Sequence, residues 1–350
     1  MAARGKVTVA GAGVLGLSTA LALADAGLQV TVCDPEAPGR ASAVAAGMLA
    51  PAFEAALEAE GARAFDLLLA ARNAWPALAQ RTGIFVDRSG AAAVGEKAWL
   101  AEVGAALIRL GVRPTELGPA TLRDLSPGLS MEFLKALLVR EDWRVEPRPA
   151  LAALRAAAEA AGVTFRAERV KARGEADVLV IAAGLSRGLA GIAPEVAQLS
   201  PIKGQILRFA DVRGSGVCVR TPGAYAAPGF DGLAVGATME PGRDDLAVDP
   251  GLVSPLSAAA VRLFPALAQA PFEVQVGVRA ATPDGLPMVG WSSAPGVVLA
   301  TGARRNGWLL APLVAEVVAA CVTGRDPGPY AARLDPGRFA ASRSAPGEAP

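Results

Sequence analysis

Apolar and polar positions near the start of the chain predict a strand, a helix and a second strand in succession. Residues 6–10 form a short apolar run rich in β-branched side chains, and residues 28–33 form another. Between the two runs, apolar residues recur with helical spacing as far as Ala26, and Gly27 follows as a helix stop. Two parallel strands joined by a helix within about 30 residues form a βαβ unit with a right-handed crossover.

The same periodicities predict helices and strands along the rest of the chain. Residues 37–51 lack periodicity and are predicted to form an ordered loop, whereas residues 203–278 alternate short strands with Gly and Pro turns, as in an antiparallel sheet. The segments with helical spacing are residues 57–80, 150–161 and 309–323. The segments that predict single strands are residues 83–88, 137–139, 177–182 and 296–300.

Composition narrows the chemistry that is open to the chain. Of the 350 residues, 52% are hydrophobic and 19% are charged, which is typical of a globular protein. The 34 basic and 33 acidic side chains nearly balance, so we predict no nucleic-acid partner and no anionic membrane surface. The chain has no histidine, which excludes Ser-His and Cys-His nucleophilic mechanisms. Hydride transfer to a cofactor remains open, because the cofactor carries that reaction.

Cysteines and apolar stretches predict neither a metal site nor a membrane span. Cys33, Cys218 and Cys321 form no CxxC pair and no metal-like spacing, so we predict small buried side chains in a reducing cytoplasm. Residues 308–322 are apolar but contain Pro312 and are too short to cross a bilayer. We therefore expect a cytoplasmic protein.

Three glycines after the first strand have the spacing GxGxxG. Gly11 permits a tight turn, Gly13 lets a pyrophosphate approach the backbone, and Gly16 allows close packing of the helix on the strand. The helix that starts near Val14 offers free N–H groups and a positive dipole end to phosphates. Asp34 follows Gly11 by 23 residues and can accept hydrogen bonds from ribose hydroxyls. The pattern predicts a dinucleotide site; the alternative is a glycine-rich turn within a parallel sheet.

Two later strands favour FAD over NAD as the dinucleotide. Residues 177–184 and 297–302 are apolar runs that end in small residues beside glycine, at Ala183-Gly184 and at Gly302. Such ends are needed where the backbone lies against a bulky ligand. In an NAD-dependent dehydrogenase, the segment near the C-terminus would not need to return to the cofactor site with a glycine-lined strand end.

Five sequence blocks carry a resemblance to a known family. These blocks resemble the D-amino-acid oxidase superfamily and, within it, are most similar to the glycine oxidases of thiamine biosynthesis. They follow the family's order from residue 6 to about residue 324. The blocks are ASAVAAGMLAP (41–51), KGQIL (203–207), VGATMEPG (235–242), VRAATPDGLPMVG (278–290) and ATGARRNGWLLAP (300–312).

The resemblance implies an α/β flavoprotein, α+β overall, with non-covalent FAD. Its FAD-binding domain would be doubly wound, of Rossmann type, with an inserted mixed or antiparallel sheet for the substrate. We predict an FAD-binding domain of residues 1–82, 144–202 and 275–330, a substrate domain of residues 83–143 and 203–274, and a flexible tail of residues 331–350. The cofactor contacts implied by motif and resemblance are Gly11, Gly13, Val14, Leu15, Gly16, Asp34, Ala41, Ser42, Ala46, Gly47, Met48, Val170 on the strand after Gly162, Ala183, Gly184, Gly302, Ala303, Arg304, Arg305, Asn306, Gly307, Trp308 and Leu309.

Arg279 is the candidate ligand of a substrate carboxylate. It follows an apolar strand and precedes a turn, and a guanidinium there can form two charge-assisted hydrogen bonds to a carboxylate. From the residues alone, an ion pair with Asp284 fits equally well; the resemblance favours the substrate role. It also implies that Arg305 and Tyr225 contact the substrate. Two departures leave the substrate preference open, because Ala303-Arg304 replaces the family's His-aromatic pair and Ala280 replaces a proline.

The predicted reaction is oxidative deamination of glycine or another small amino acid or amine, with O2 as electron acceptor. The family also tends to form homo-oligomers. The same fold leaves open a D-amino-acid dehydrogenase that passes electrons to a quinone, and a sarcosine-oxidase-like enzyme, although no cysteine lies where the covalent flavin link of that family would be expected. From other classes, a catalytically silent flavin-binding protein and a nicotinamide-dependent dehydrogenase remain alternatives.

Overall fold

The structure is a computed structural model that describes residues 5–339, apart from residues 186, 211, 213–215 and 231 and the side chains of residues 59 and 60. Within that part of the chain the strands are β1 (Lys6–Ala10), β2 (Gln29–Cys33), β3 (Met48–Leu49), β4 (Ala91–Val94), β5 (Thr115–Leu117), β6 (Ala136–Val139), β7 (Trp143–Arg144), β8 (Thr164–Arg166), β9 (Val178–Ile181), β10 (Ser200–Phe209), β11 (Cys218–Thr221), β12 (Ala224–Gly229), β13 (Gly232–Gly236), β14 (Glu240–Pro241), β15 (Glu273–Ala281), β16 (Met288–Trp291) and β17 (Val297–Thr301). The α-helices of the same residues are α1 (Val14–Asp25), α2 (Ala41–Val44), α3 (Pro51–Leu57), α4 (Ala59–Arg63), α5 (Phe65–Thr82), α6 (Lys97–Arg109), α7 (Pro119–Leu125), α8 (Pro147–Ala160), α9 (Pro250–Leu263), α10 (Gly307–Thr323) and α11 (Ala331–Leu334).

The chain divides into two compact units. Among the described residues, the first comprises residues 5–38, 151–201 and 279–339, and the second comprises residues 39–150 and 202–278. The main difference from the predicted domains is that residues 39–82 group with the second unit. The reason is packing, because Ala52 and Phe53 of α3 are fully buried in a cluster with Ala91 and Ala93 of β4.

A six-stranded sheet forms the centre of the first unit. Its order is β16-β17-β9-β1-β2-β8, with all neighbours parallel except the antiparallel pair β16 and β17. After β1 and β2 the chain continues to β8 at one edge and then crosses to β9 on the other side of β1. The strand order therefore reverses between β1 and β9, where α/β sheets bind their ligands at the carboxyl ends of the strands. The helices α1 and α10 pack against each other in this unit.

A mixed sheet forms the centre of the second unit. Its order is β14-β10-β13-β12-β11-β4-β6-β5, and β15 pairs with β10. Alternate residues of β4 enter different apolar clusters: Ala92 and Val94 in one, Ala91 and Ala93 in the other. Since successive side chains of a strand point to opposite faces, both faces of this sheet are covered. The predicted fold class, a parallel nucleotide-binding sheet with an inserted mixed sheet, is confirmed.

Several local predictions need correction. The predicted flexible tail is wrong for residues 331–339, which form α11 and a 3₁₀-helix with Leu334 fully buried; residues 340–350 lie outside the described residues. Residues 83–88 form no strand; Asp87 makes one isolated bridge to Arg144, and the strand begins at Ala91. Val170 lies beyond β8 rather than on it, because β8 pairs with β2 over three residues only.

Across the described residues, no helix is both long enough and apolar enough to cross a membrane. The apolar helix α10 contains Pro312, and most of its side chains are buried.

Candidate active site

The glycine loop between β1 and α1 is tightly confined. Gly11 has φ = 105°, and a Cβ on it would lie 2.6 Å from the carbonyl oxygen of Ala182 and 2.8 Å from the Cα of Ala183. A Cβ on Gly16 would overlap the carbonyl oxygen of Gly11. Neither position accepts a larger residue without movement of the backbone. The helix α1 begins at Val14, with Gly13 as its N-cap and no side chain capping its first N–H groups. A phosphate fits this arrangement, since the cap residue has no side chain and the first N–H groups of an α-helix point out of its N-terminal end.

The carboxylate of Asp34 is fixed beside this loop at the end of β2. Its Oδ2 accepts a hydrogen bond from the backbone N–H of Ala12 at 2.6 Å, and its Oδ1 accepts one from Glu36 at 2.6 Å. Because an ionised carboxylate has about four lone-pair positions, both oxygens can still accept bonds from ribose hydroxyls. Asp34 therefore stands where the sequence pattern predicts, with its orientation set by two backbone donors.

Strands β9 and β17 end at the same edge of the sheet, and each is followed by small residues. Ala182 donates its backbone N–H to Ala10 at 2.9 Å, and the hydroxyl of Thr301 donates to the carbonyl of Gly184 at 2.8 Å. Gly302 has φ = 81°, and a Cβ there would lie 2.7 Å from the side chain of Thr282. These contacts bring the predicted cofactor residues Ala183, Gly184 and Gly302 to the edge that carries the glycine loop.

The loop between β17 and α10 connects the glycine loop to the strand of Arg279. Arg304 donates its backbone N–H to the carbonyl of Ala280 at 2.8 Å, next to a bridge between Ala281 and Ala303. At the other end of the loop, a Cβ on Gly307 would lie 3.8 Å from the side chain of Val14. Residues 303–307 therefore run from the end of β15 to the start of α1. The predicted contacts Trp308 and Leu309 are buried in the first turn of α10.

Arg279 is half-buried near the end of β15, and the turn that follows it is held by a residue from the far end of the chain. Asp284 receives two hydrogen bonds from Arg338, at 2.8 and 3.1 Å, and Thr282 and Leu286 also bond to it. Burial raises the pKa of Asp284, but its bonds with Arg338 outweigh this and hold the pKa below its ordinary value. Sequence reasoning missed Arg338, because it lies 54 residues from its partner.

The predicted flavin contacts of residues 41–48 belong to the second unit, where their backbone is firmly held. Arg208 donates through Nη2 to the carbonyls of Val44 and Ala45, at 2.9 and 2.8 Å. Gly47 has φ = 76°, and a Cβ on it would overlap the carbonyl of Val145. The backbone of this segment is thus held by one side chain and one close approach. The predicted contacts in it are Ala41 and Ser42 on α2, then Ala46, Gly47 and Met48.

Tyr225 lies on β12 of the second unit, opposite Gly236 of β13. A Cβ on Gly236 would lie 2.6 Å from the hydroxyl oxygen of Tyr225, so the ring crosses the space that this glycine leaves. The side chain is half-buried against an apolar cluster that includes Ile206. The predicted substrate contact of Tyr225 stays a prediction. The same holds for Val170, which packs against an apolar cluster of the first unit.

Comparison with known proteins agrees with this geometry. Residues 6–321 match the family described as FAD dependent oxidoreductase. The chain belongs to this family. The resemblance to the D-amino-acid oxidase superfamily and the prediction of an FAD-dependent oxidoreductase are therefore confirmed. The cofactor is non-covalent FAD, and the glycine loop with Asp34 fits its ADP part.

The alignments with individual relatives extend over nearly all of this chain. It is 30% identical to the bifunctional protein ThiO/ThiG of Synechocystis over 97% of its own residues and 55% of that protein, so it spans about half the length of that relative. It is 32% identical to glycine oxidase of Pseudomonas aeruginosa, covering 93% of this chain and 98% of that one. The crystal structure of glycine oxidase from Geobacillus kaustophilus superposes with a TM-score of 0.81 and 27% identity, over 95% of this chain and 98% of the other.

Proposed function

We propose that this chain oxidises glycine or another small amino acid or amine to an imine, which water hydrolyses to ammonia and a 2-oxo acid. The glycine loop and Asp34 would hold FAD, which when bound would supply the acceptor for a hydride from the α carbon; O2 would be the final electron acceptor and would be reduced to H2O2. The likeness to glycine oxidase supports a small amino acid as substrate, and the likeness to a putative thiamine biosynthesis oxidoreductase supports a product used in thiamine biosynthesis.

The observation that carries the proposal is the position of Arg279. It lies one residue before Ala280, whose carbonyl accepts the hydrogen bond from Arg304 in the loop that reaches the start of α1. An arginine beside that loop can hold a substrate carboxylate by a bidentate pair, which a lysine cannot form. Asp284, in the turn after Arg279, forms an ion pair with Arg338.

The side chains of this site would act by binding and orienting the substrate rather than by proton abstraction. The chain has no histidine, and hydride transfer from a neutral amine requires no side-chain base. Arg279 would fix the carboxylate, Arg305 would add a second positive charge, and Tyr225 would exclude water from the bound amino acid. Each of these roles is inferred from the family resemblance and can be tested by mutating the residue.

The test is the visible spectrum of the purified enzyme, recorded before and after anaerobic addition of glycine, sarcosine and D-alanine. Bleaching of the flavin band is expected with at least one of them. In Arg279→Ala the band should remain, while KM for the amino acid rises by a factor of about 100 or more, the equivalent of roughly 3 kcal/mol for a lost charge-assisted pair. Arg279→Lys should recover only part of this loss, because it lacks the fork.

Two outcomes would contradict the proposal. A flavin that no amine reduces would favour a silent flavin-binding protein, and an unchanged KM in Arg279→Ala would remove the carboxylate role. A flavin that amines reduce but O2 reoxidises slowly would leave amine oxidation in place and favour the dehydrogenase alternative.

A further inference from the structure

We propose that Arg220 binds a carboxylate group of the substrate beside Tyr225. This inference rests on the proposed function, in which Tyr225 contacts the bound amino acid. Arg220 belongs to none of the sequence blocks that carry the family resemblance. Two features point to it, namely its place in the sheet of the second unit and the unpaired donors of its guanidinium group.

Arg220 and Tyr225 are direct neighbours on β11 and β12. Their Cα atoms pair in the antiparallel register of the two strands, so their Cβ atoms lie roughly 5 Å apart on one face of the sheet. On their other sides, Tyr225 pairs with Gly236 and Arg220 pairs with Ala93. Small residues therefore flank the two long polar side chains. The full row across the sheet, from β10 to β6, consists of Ile206, Gly236, Tyr225, Arg220, Ala93 and Leu137.

The side chain of Arg220 faces the apolar cluster against which Tyr225 packs. Cys218, two residues earlier on β11, belongs to this cluster, and alternate residues of a strand share a face. The guanidinium carbon of Arg220 lies 5.7 Å from the ring centre of Phe53, which is a buried member of the same cluster. The strand register and the side-chain contact therefore agree that the guanidinium lies on the face of Tyr225.

The guanidinium of Arg220 is buried without a hydrogen-bond acceptor. The residue is 6% exposed, and its Nε is fully buried with no partner. Nη1 and Nη2 are not fully buried, and they form no hydrogen bond or ion pair with any residue that the structure describes. The ring of Phe53 attracts the positive charge but supplies no oxygen acceptor for the N–H groups. Because buried donors in folded proteins are nearly always paired, we expect those of Arg220 to meet an acceptor from outside the chain.

Asp142 contributes a negative charge near Arg220, but the two form no ion pair in the described structure. The carboxylate oxygens of Asp142 accept the backbone N–H groups of Ala52 and Phe53, at 2.8 and 3.1 Å. Burial raises the pKa of Asp142 to about 6, although the positive charge of Arg220 acts in the opposite direction. A tight ion pair would hold that pKa well below its ordinary value. Asp142 is therefore held by α3 and leaves the donors of Arg220 unoccupied.

A carboxylate is the ligand that suits this guanidinium. Arginine pairs with both oxygens of a carboxylate, and such charge-assisted bonds are stronger where water is excluded. The proposed substrates supply the group, since every amino acid carries at least one carboxylate. A methionine at position 220 would fill similar space without burying a charge, so packing alone does not account for the arginine. An acid bound to Arg220 would lie next to Tyr225, its neighbour in the row.

The first experiment measures binding without turnover. Its ligands are 2-(methylthio)acetamide, (methylthio)acetate and thiodiacetate, which have sulfur in place of the amine nitrogen and carry no, one and two carboxylates. Calorimetric titration gives their Kd values for the FAD-loaded enzyme, unaltered and as Arg220→Met. We expect the variant to bind the acids more weakly by about tenfold or more, and the amide by less than about twofold, because one charge-assisted pair is lost. Unchanged Kd values for both acids would overturn the proposal.

The same ligands identify which carboxylate Arg220 binds. If both acids lose affinity alike, Arg220 binds the carboxylate that every amino acid carries. If thiodiacetate alone loses affinity, Arg220 binds a second acidic group, and amino dicarboxylates are the preferred substrates. If the amide loses as much affinity as the acids, Arg220 acts only on the fold, and the proposal is refuted.

The matched control is Arg262→Met on α9. The guanidinium carbon of Arg262 also lies 5.7 Å from a ring centre, that of Phe133, but this arginine is exposed and pairs with Glu132 at 2.6 Å. The control should bind each ligand as the unaltered enzyme does. Arg220→Lys keeps the charge without the planar fork and should recover only part of the affinity for the acids. It takes the place of Arg220→Met if that variant does not retain FAD.

Anaerobic reduction of the flavin separates this inference from the proposed function. Glycine, sarcosine and iminodiacetate are added to the unaltered enzyme, the last two being the amines that match the two acids. If one of them reduces the flavin while Arg220→Met binds both acids with unchanged Kd, the inference fails and the proposed function stands. If no amine reduces the flavin, the proposed function fails together with the inference that rests on it.

Discussion

Replacement of Arg338 by methionine is expected to loosen the turn that follows Arg279. Methionine keeps much of the apolar stem but removes every donor. In the structure, Arg338 bonds twice to Asp284 and once to the carbonyl of Leu286, and it also bonds to two carbonyls of its own segment, at residues 334 and 335. One side chain thus joins the end of the described chain to the turn of residues 282–286.

The expected loss of stability can be worked from these contacts. The carboxylate of Asp284 is 38% exposed, so its ion pair contributes ~1 kcal/mol. The three bonds to carbonyl oxygens contribute on the order of 1 kcal/mol each. We therefore expect a loss of roughly 3–4 kcal/mol, which at about 2–4 °C per kcal/mol lowers Tm by roughly 6–16 °C. The loss of the guanidinium should also raise the pKa of Asp284 towards its ordinary value.

The assay is thermal unfolding of the FAD-loaded protein, combined with KM for the amino acid. Arg325→Met is the matched control, since its guanidinium is exposed and bonds to Thr323. A carboxyl group whose pKa is lower in the folded than in the unfolded state stabilises the folded protein at pH values above its unfolded-state pKa. This stabilisation is lost as the pH falls through the folded-state pKa. The difference between the unaltered protein and Arg338→Met should therefore shrink in acid. A Tm within 2 °C of the control would refute this account of the turn.

Two further predictions concern the glycine loop and a buried acid. Gly11→Ala should cost on the order of 2–4 kcal/mol and abolish FAD retention, because its Cβ would lie 2.6 Å from the carbonyl oxygen of Ala182; Gly27→Ala, with φ = 87° and no atom nearby, should keep the flavin absorbance. Burial raises the pKa of Asp142 to about 6 in the folded protein. The protonated carboxyl group therefore stabilises the fold fully at pH values below its unfolded-state pKa, and this stabilisation is lost as the pH rises through 6. Unfolding by urea should therefore show Asp142→Asn gaining about 3 kcal/mol relative to the unaltered protein between pH 3.5 and 7.5, and parallel pH profiles would contradict this.

The sequence by itself determined the nucleotide-binding part of the fold. Strand β1, the loop at Gly11, helix α1 and Asp34 lie within 29 consecutive residues, from Lys6 to Asp34. Their structure follows from short-range effects, namely apolar periodicity, the freedom of glycine at positive φ and the free N–H groups of a helix start. The family blocks extended this to FAD, and they predict Arg279 as a carboxylate ligand without specifying its contacts.

Only the tertiary structure decided which distant residues complete that site. The bond from Arg338 to Asp284 joins residues 54 apart, in a segment whose Pro- and Gly-rich composition predicted a flexible tail. Residues 39–82 pack with the second unit because the buried face of α3 meets β4, which no local pattern specifies. The hydrogen bond from Arg304 to Ala280, which joins the loop after β17 to β15, is equally non-local. Such contacts depend on the path of the whole chain, whereas periodicity and turn chemistry act over a few residues.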